Sequence, residues 1–395
     1  MRPATRHNLW FLAAVILLLL PLCFHGYGSD NDTFGVIEAG RTTWHLHQPT
    51  TSRNPGYWTF ELIVFVLARG GGHLLTNFAS LAIAAIAIWR FLVIAERVGA
   101  RFPKLVAACL IATPVFAIAC TSTMDYVWSL LGLVLFAELL IADRLALAII
   151  PATLAFALRG ANGVIIFGAL AGALATELYS NRRLTSRTLK LIGVGLAAAL
   201  LGLPPYIASF LTAGHSMTFL GAMAGPAEMW TTKMRMGRFA YKSLYLFGPL
   251  ASSLLAMALA IRDNTPPPTP EAVTDYHRRA FPIFGGIILV NAILFFDWPI
   301  EISYLIPAAY FLLLILSTTL LARTRWLTIA FLTATLSANF VTLQLAVPNA
   351  PGRSTSAHFQ PALKPGQLVE DIHERDAVRH CETYDCWVEH NIEAR

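Results

Sequence analysis

The chain is divided along almost its whole length by long apolar runs: Leu9–Phe24, Trp58–Arg69, Leu74–Ala95, Leu105–Ala119, Val127–Ile141, Leu145–Leu158, Val164–Leu178, Leu189–Leu211, Ser243–Ile261, Phe281–Phe296, Ile302–Ala322 and Leu327–Val347. Hydrocarbon offers no partner to a backbone N–H or C=O, so segments of this kind must be helices that satisfy themselves. At about 20 apolar residues per crossing, they predict an all-α polytopic membrane protein with about 11 transmembrane helices. Only 13% of the 395 residues are charged and 56% are hydrophobic, where a soluble domain carries about 25% charged. No separate soluble catalytic domain fits between the runs. A disordered chain, a disulfide-stapled secreted module and a nucleic-acid binder are likewise excluded.

The polar intervals set the orientation. Arg182, Arg183, Arg187 and Lys190 share a short segment without an acid, and Arg323 and Arg325 share another. Lys and Arg collect on the cytoplasmic side. Counting crossings outward from Arg182 puts 212–242 outside, 262–280 inside and the tail from Pro348 outside, and with Arg2 and Arg6 inside 26–57 also falls outside. Arg2 and Arg6 place the N-terminus in the cytoplasm, ahead of a first span read as uncleaved. The net charge of +6 therefore needs no nucleic-acid partner. Cys381 and Cys386 lie in the acidic tail and are expected to pair if that tail is outside the cytoplasm.

Parity leaves two readings open. Trp58–Arg69 is about 18 Å long as a helix, which is short for a crossing. If it crosses, 145–178 is one span broken at 159–163. If it is re-entrant, 145–178 is two short spans, and Arg97, Arg101 and Lys104 fall inside as the charge rule mildly prefers.

The first outer loop carries the most chemistry. Asp30 and Asp32 follow the first span directly, and two carboxylates one residue apart can share a divalent cation or divide two roles beside a phosphate leaving group. Either can act as general base toward a hydroxyl. The loop ends in Ser52-Arg53-Asn54-Pro55-Gly56 and runs into a helix bearing Glu61. Arg53, before a rigid turn, offers a fixed guanidinium to a phosphate, and Glu61 sits about one turn into an apolar helix, where an ionised group is costly.

The run from Asp30 to Glu61 resembles the first extracytoplasmic loop of the GT-C superfamily of membrane glycosyltransferases. Members that use polyprenyl-phosphate sugars carry an acidic pair just after the first span. Many bacterial ones then show a Ser-Arg-x-Pro-Gly-x-x-x-x-Glu run, matched here by Ser52, Arg53, Pro55, Gly56 and Glu61. Thr123–Trp128, Leu158–Gly160 and Pro299–Pro307 are softer matches, and Tyr57-Trp58-Thr59 stands where a second proline is common. The resemblance implies a GT-C-like bundle over 1–210, with 26–57 as its outer-face catalytic loop. Residues 211–347 would then supply a second outer loop and further helices, and 348–395 an extracytoplasmic tail. It also implies that the first two helices cross fully, which would make 145–178 one broken span. The implied reaction is an inverting sugar transfer on the outer face of the plasma (inner) membrane. In it, Asp30 and Asp32 act as catalytic base or as ligands of Mg²⁺ or Mn²⁺, if a metal takes part.

Arg235, Arg238 and Lys242 fall on one face of a helix in the second outer loop. With Arg53 they are the expected contacts to the donor's phosphate, although an interfacial helix touching anionic headgroups would look the same. Asp125, Arg159 and Glu301 interrupt apolar stretches and are further candidates, each as well explained by helix-packing ion pairs. The expected partners are a polyprenyl-phosphate sugar, membrane lipids, and an envelope glycan, lipid or protein that accepts the sugar. A transporter or lipid flippase, with Asp30, Arg159 and Glu301 along its path, is the alternative. It would break no bond, and the internal symmetry usual in transporters is not apparent.

Overall fold

The computed structural model describes residues 3–48, 50–52, 57–212, 231–261, 274–348, 357–381 and 383–393. Arg2, Arg53, Pro55 and Gly56 lie outside the described residues. The protein is a polytopic helical membrane protein. Five helical segments are long and apolar enough to cross a bilayer (7–24, 58–97, 160–181, 186–211 and 275–297). Two bent pairs, 103–120 and 232–260, turn by 79° and 93°, and three shorter apolar helices complete the set among the described residues.

The chain runs α1 (Pro3–Leu19), α2 (Asn31–Leu46), α3 (Trp58–Arg97), α4 (Pro103–Ala112), α5 (Pro114–Cys120), α6 (Tyr126–Ile141), α7 (Leu145–Leu158), α8 (Gly160–Asn181), α9 (Ser186–Gly202) and α10 (Pro204–Thr212). It continues through α11 (Thr232–Tyr245), α12 (Pro249–Ala260), α13 (Thr274–Asp297), α14 (Ile306–Leu316) and α15 (Arg325–Ser337). An antiparallel hairpin of β1 (Val341–Pro348) and β2 (Ala357–Pro365) leads to α16 (Gln367–Ala377) and α17 (Tyr384–Glu393). The expectation of one helical run over 327–347 is therefore corrected. The helix stops at Ser337, and the alternating sequence from Val341 pairs as a strand.

Contacts between helix ends sort the bundle into two ends. At one, Asn77 donates to Gly26 O (2.6 Å) and Arg159 pairs with Asp125 (2.7 Å). At the other, Asn8 donates to Glu96 (2.8 Å), Arg97 pairs with Glu138 (2.7 Å), and Arg187 bridges Asp143 and Glu177 (2.8 Å each). Asp143 opens α7, Glu177 closes α8 and Arg159 is the single extended residue between them. So α7 and α8 are antiparallel, and 145–178 is two helices, not one broken span.

The structure answers the other half of that question consistently. α3 breaks at Gly71 and Gly72, the latter at φ +59°, ψ −152°, a conformation that a side chain would oppose. Before the break, 58–70 packs on α2, where a Cβ on Gly40 would come within 2.4 Å of Glu61 O. Phe60 meets Trp128 at that end of the bundle, and Tyr27 meets His73 there too. Both ends of the 58–70 helix thus stay at the Asp30 end, and it lies across the bundle. Residues 58–70 therefore do not form the separate second crossing that the GT-C resemblance implies. α8 packs closely on α13, where Gly168 and Gly172 meet Gly286 and Pro282 so tightly that a Cβ on Gly286 would stand 2.1 Å from Gly168 O. Small residues are what allow helices to approach like this without a hydrophobic driving force.

Candidate functional site

Asp30 caps α2. Its extended backbone (φ −75°, ψ 134°) lets Oδ1 accept the Asp32 N–H at 3.0 Å. A helix N-terminus, with its unsatisfied N–H groups and positive dipole end, suits both carboxylates. Capping alone would account for Asp30, but the fold adds a third acid from far along the chain. Asp30, Asp32 and Glu301 offer carboxylate oxygens that all lie within 4.8 Å of one another, each residue partly exposed. Glu301 sits beyond the end of α13 and accepts hydrogen bonds from the Tyr126 hydroxyl and from Ser303 Oγ (3.1 Å).

The segment carrying Glu301 is held by the basic face of α11. Arg235 pairs with Asp297 (2.6 Å), Arg238 Nε donates to Pro299 O (3.2 Å) and Lys242 Nζ donates to Ile300 O. α11 turns sharply into α12 and, with four bases in 14 residues, lies across the end of the bundle. Burial, reinforced by neighbouring Arg238 and opposed by Glu301, pushes the Lys242 ammonium down to about 8. The three bases read from sequence as phosphate contacts are thus engaged with the protein's own chain.

Arg159 is different. Its guanidinium is buried (8% exposed), bound to the fully buried Asp125, and lies 4.4 Å from the Tyr126 ring centre, 4.8 Å from Tyr304 and 6.0 Å from Tyr57. Desolvating a guanidinium is tolerable because a carboxylate and aromatic faces replace its water. It lines a cavity of about 530 Å³ that also reaches Asp32, Glu301 and Asn162 and is walled by Val164 and Ile165 of α8 and Leu294 and Phe295 of α13. Asn162 Oδ1 is buried there without a hydrogen-bond partner among the described residues, while its Nδ2 donates to Ala155 O.

A second cavity, about 330 Å³, lies on the other side of the acids. Ser29, Asp30, Lys242 and Asp371 rim it, and Val115, Ile118 and Ala119 of α5 line it. Tyr126, Ile300, Glu301 and Ser303 belong to both cavities, so the carboxylates stand on the partition between them.

The tail forms part of this site, which the sequence reading did not foresee. Arg375 of α16 is 1% exposed, donates to Thr121 O (2.8 Å) and Ile118 O (3.2 Å), and pairs with Asp371 (2.7 Å). Asp371 Oδ1 in turn accepts from Ser29 Oγ at 2.7 Å, and Trp387 Nε1 donates to Ser29 O at 3.3 Å. His25 and Asp376 meet at 2.8 Å. Cys381 and Cys386 are joined, as expected, closing the turn into α17. The signal available was Asp371 and Arg375 at i, i+4 in a polar stretch, which by itself reads as an ordinary surface pair.

Glu61 does not join the acids. Fully buried, it accepts from Ser52 N (2.8 Å) and Ser52 Oγ (2.6 Å), tying the end of the first loop to the 58–70 helix, and it lines neither cavity. Arg53 lies outside the described residues. No protein-family model, curated protein or solved structure matches the chain.

Proposed function

We propose that the protein is a membrane glycosyltransferase that moves a sugar from a polyprenyl-phosphate donor to a hydroxyl acceptor with inversion. The observation that carries this reading is the carboxylate cluster standing between two cavities. The larger has an apolar wall from two membrane helices, suited to a lipid-linked donor. The smaller sits over Asp30 under the polar tail, suited to an acceptor.

In this reading the acceptor hydroxyl lies in the smaller cavity and gives its proton to Asp30. Its oxygen attacks the anomeric carbon from the face opposite the phosphate. The anomeric carbon–oxygen bond to phosphate breaks, and polyprenyl phosphate leaves with the electron pair. Arg159, positioned by Asp125 and three tyrosines, faces that phosphate, replacing the α11 bases in the role expected from sequence. Asn162 Oδ1 takes a hydrogen bond from a sugar hydroxyl, relieving a buried acceptor that is costly to leave unsatisfied. The hard oxygen set of Asp30, Asp32 and Glu301 fits Mg²⁺ or Mn²⁺. When bound, such an ion would offset charge on the departing phosphate.

The topology proposed with it has about 11 crossings: α1, α3 after its break, α4 with α5, α6, α7, α8, α9 with α10, α12, α13, the 302–316 segment and α15. Arg182, Arg183, Arg187, Lys190, Arg323 and Arg325 gather at the end opposite the site. This makes that end cytoplasmic, together with the N-terminus, and puts the site and tail on the outer face of the plasma (inner) membrane. Purified protein given a polyprenyl-phosphate hexose or pentose should release free polyprenyl phosphate, and Asp30→Asn or Asp32→Asn should abolish the release at unchanged membrane levels. Movement of the donor across vesicles without cleavage would favour the transporter reading instead.

A further inference from the structure

At the end of the bundle opposite the carboxylates, the first turn of α7 stands between two grooves. One, about 870 Å³, runs between α7 and α9 and includes Arg144, Arg187, Lys190 and Gly193. The other, about 610 Å³, lies between α7, α6 and α3 and includes Arg90, Arg97 and Glu138. Arg144 and Leu147 border both.

The charges there are unevenly matched. Glu138 answers Arg90 and Arg97, and Asp143 and Glu177 answer Arg187. Arg144 and Lys190 are exposed, and neither forms an ion pair among the described residues. Five bases thus face three acids. Directly along the chain from Arg144, the outward face of α7 is apolar: Leu147, Ile150 and Leu154 are all more than half exposed. The α9 wall opens at Gly193, where an added Cβ would meet nothing within 4 Å beyond its own helix. A cationic point at a membrane boundary, continued by apolar grooves pointing toward the bilayer centre, matches one chemistry: a phosphate carrying acyl chains. Inorganic phosphate would use the cations and leave the apolar walls unmatched.

We propose that this double groove binds an anionic phospholipid, with its phosphate between Arg144 and Lys190 and its acyl chains along α7. The site is separate from the carboxylate cluster and does not depend on the reaction proposed for it. The test uses the purified full chain in a neutral detergent, titrated with phosphatidylglycerol, cardiolipin, phosphatidylcholine or glycerophosphate. Melting temperature and retained lipid by native mass spectrometry are read in parallel. The anionic lipids should raise the melting temperature by several degrees and remain bound, whereas phosphatidylcholine and glycerophosphate should do neither. The doubly substituted Arg144→Gln, Lys190→Gln chain should fold normally, because both side chains are exposed, and should lose the shift and the adduct. A chain with Arg182→Gln and Arg183→Gln, two bases at the same end but outside both grooves, should keep them. An equal shift with phosphatidylcholine or glycerophosphate, or an unchanged response of the first double variant, overturns the proposal.

Discussion

The two ends of the bundle use carboxylates in opposite ways. At the Arg187 end, acids and bases alternate: Glu138 lies against Arg90 and Arg97, and Arg187 sits between Asp143 and Glu177. At the Asp30 end, three acids face one another within 4.8 Å, on a partition between two cavities. Helix packing alone accounts for the first arrangement, since each charge leaving water gains a partner. It does not account for the second, where like charges are brought together. Gathered like charge in a concave site is what the proposed reaction calls for, a place for a ligand or a proton transfer.

Substitutions at each end should separate these roles. The largest effect is expected from Asp30→Asn. Asn caps a helix about as well as Asp, so α2 should persist while sugar transfer falls by about 10²-fold or more, the usual contribution of a general base. Transfer assays beside circular dichroism check this, and retained activity would reduce Asp30 to a cap. Glu138→Gln should do the reverse, lowering stability by about 2 kcal/mol because Arg90 and Arg97 lose their acid, moderated by the exposure of Arg97. Turnover per folded molecule should hold, and a selective loss of turnover would erase the contrast between the ends.

A smaller effect is expected at Asn162. Changing it to Leu should raise the donor's KM about tenfold, the weight of about one hydrogen bond, with little change in kcat. The smallest concerns Lys242. Its ammonium loses a proton at about 8 in the fold, against 10.5 for the unperturbed group. The unfolded chain therefore binds more protons across that window, and stability should rise with pH through it. Melting curves from pH 8 to 10.5 should show the rise, and Lys242→Gln should flatten it.

Much of this was legible in the sequence, unevenly. Asp30 and Asp32 stand one residue apart beside a span, so local spacing brought them forward. The Cys381–Cys386 pair was visible for the same reason. Glu301 could be noticed but not placed, because its approach to Asp30 depends on how α13 packs on α8. Arg235, Arg238 and Lys242 formed the expected basic face, yet a row of cations does not reveal whether its partner is a ligand or the protein's own carbonyl oxygens. The strand at 341–348 was hidden inside an apolar run, since hydropathy does not distinguish period two from the end of a helix. The 58–70 helix was ambiguous by length, and only the packing of Gly40 and Phe60 decided it.

The docking of α16 and α17 onto Ser29 and Thr121 also sets the order in which the molecule can mature. Those helices are synthesised well after the loop they cover, 342 residues separating Ser29 from Asp371. A nascent chain therefore leaves that loop uncovered until α16 and α17 have been made and delivered to the same side. Premature termination anywhere upstream of Asp371 would leave Ser29 and Thr121 without the contacts that α16 and α17 supply.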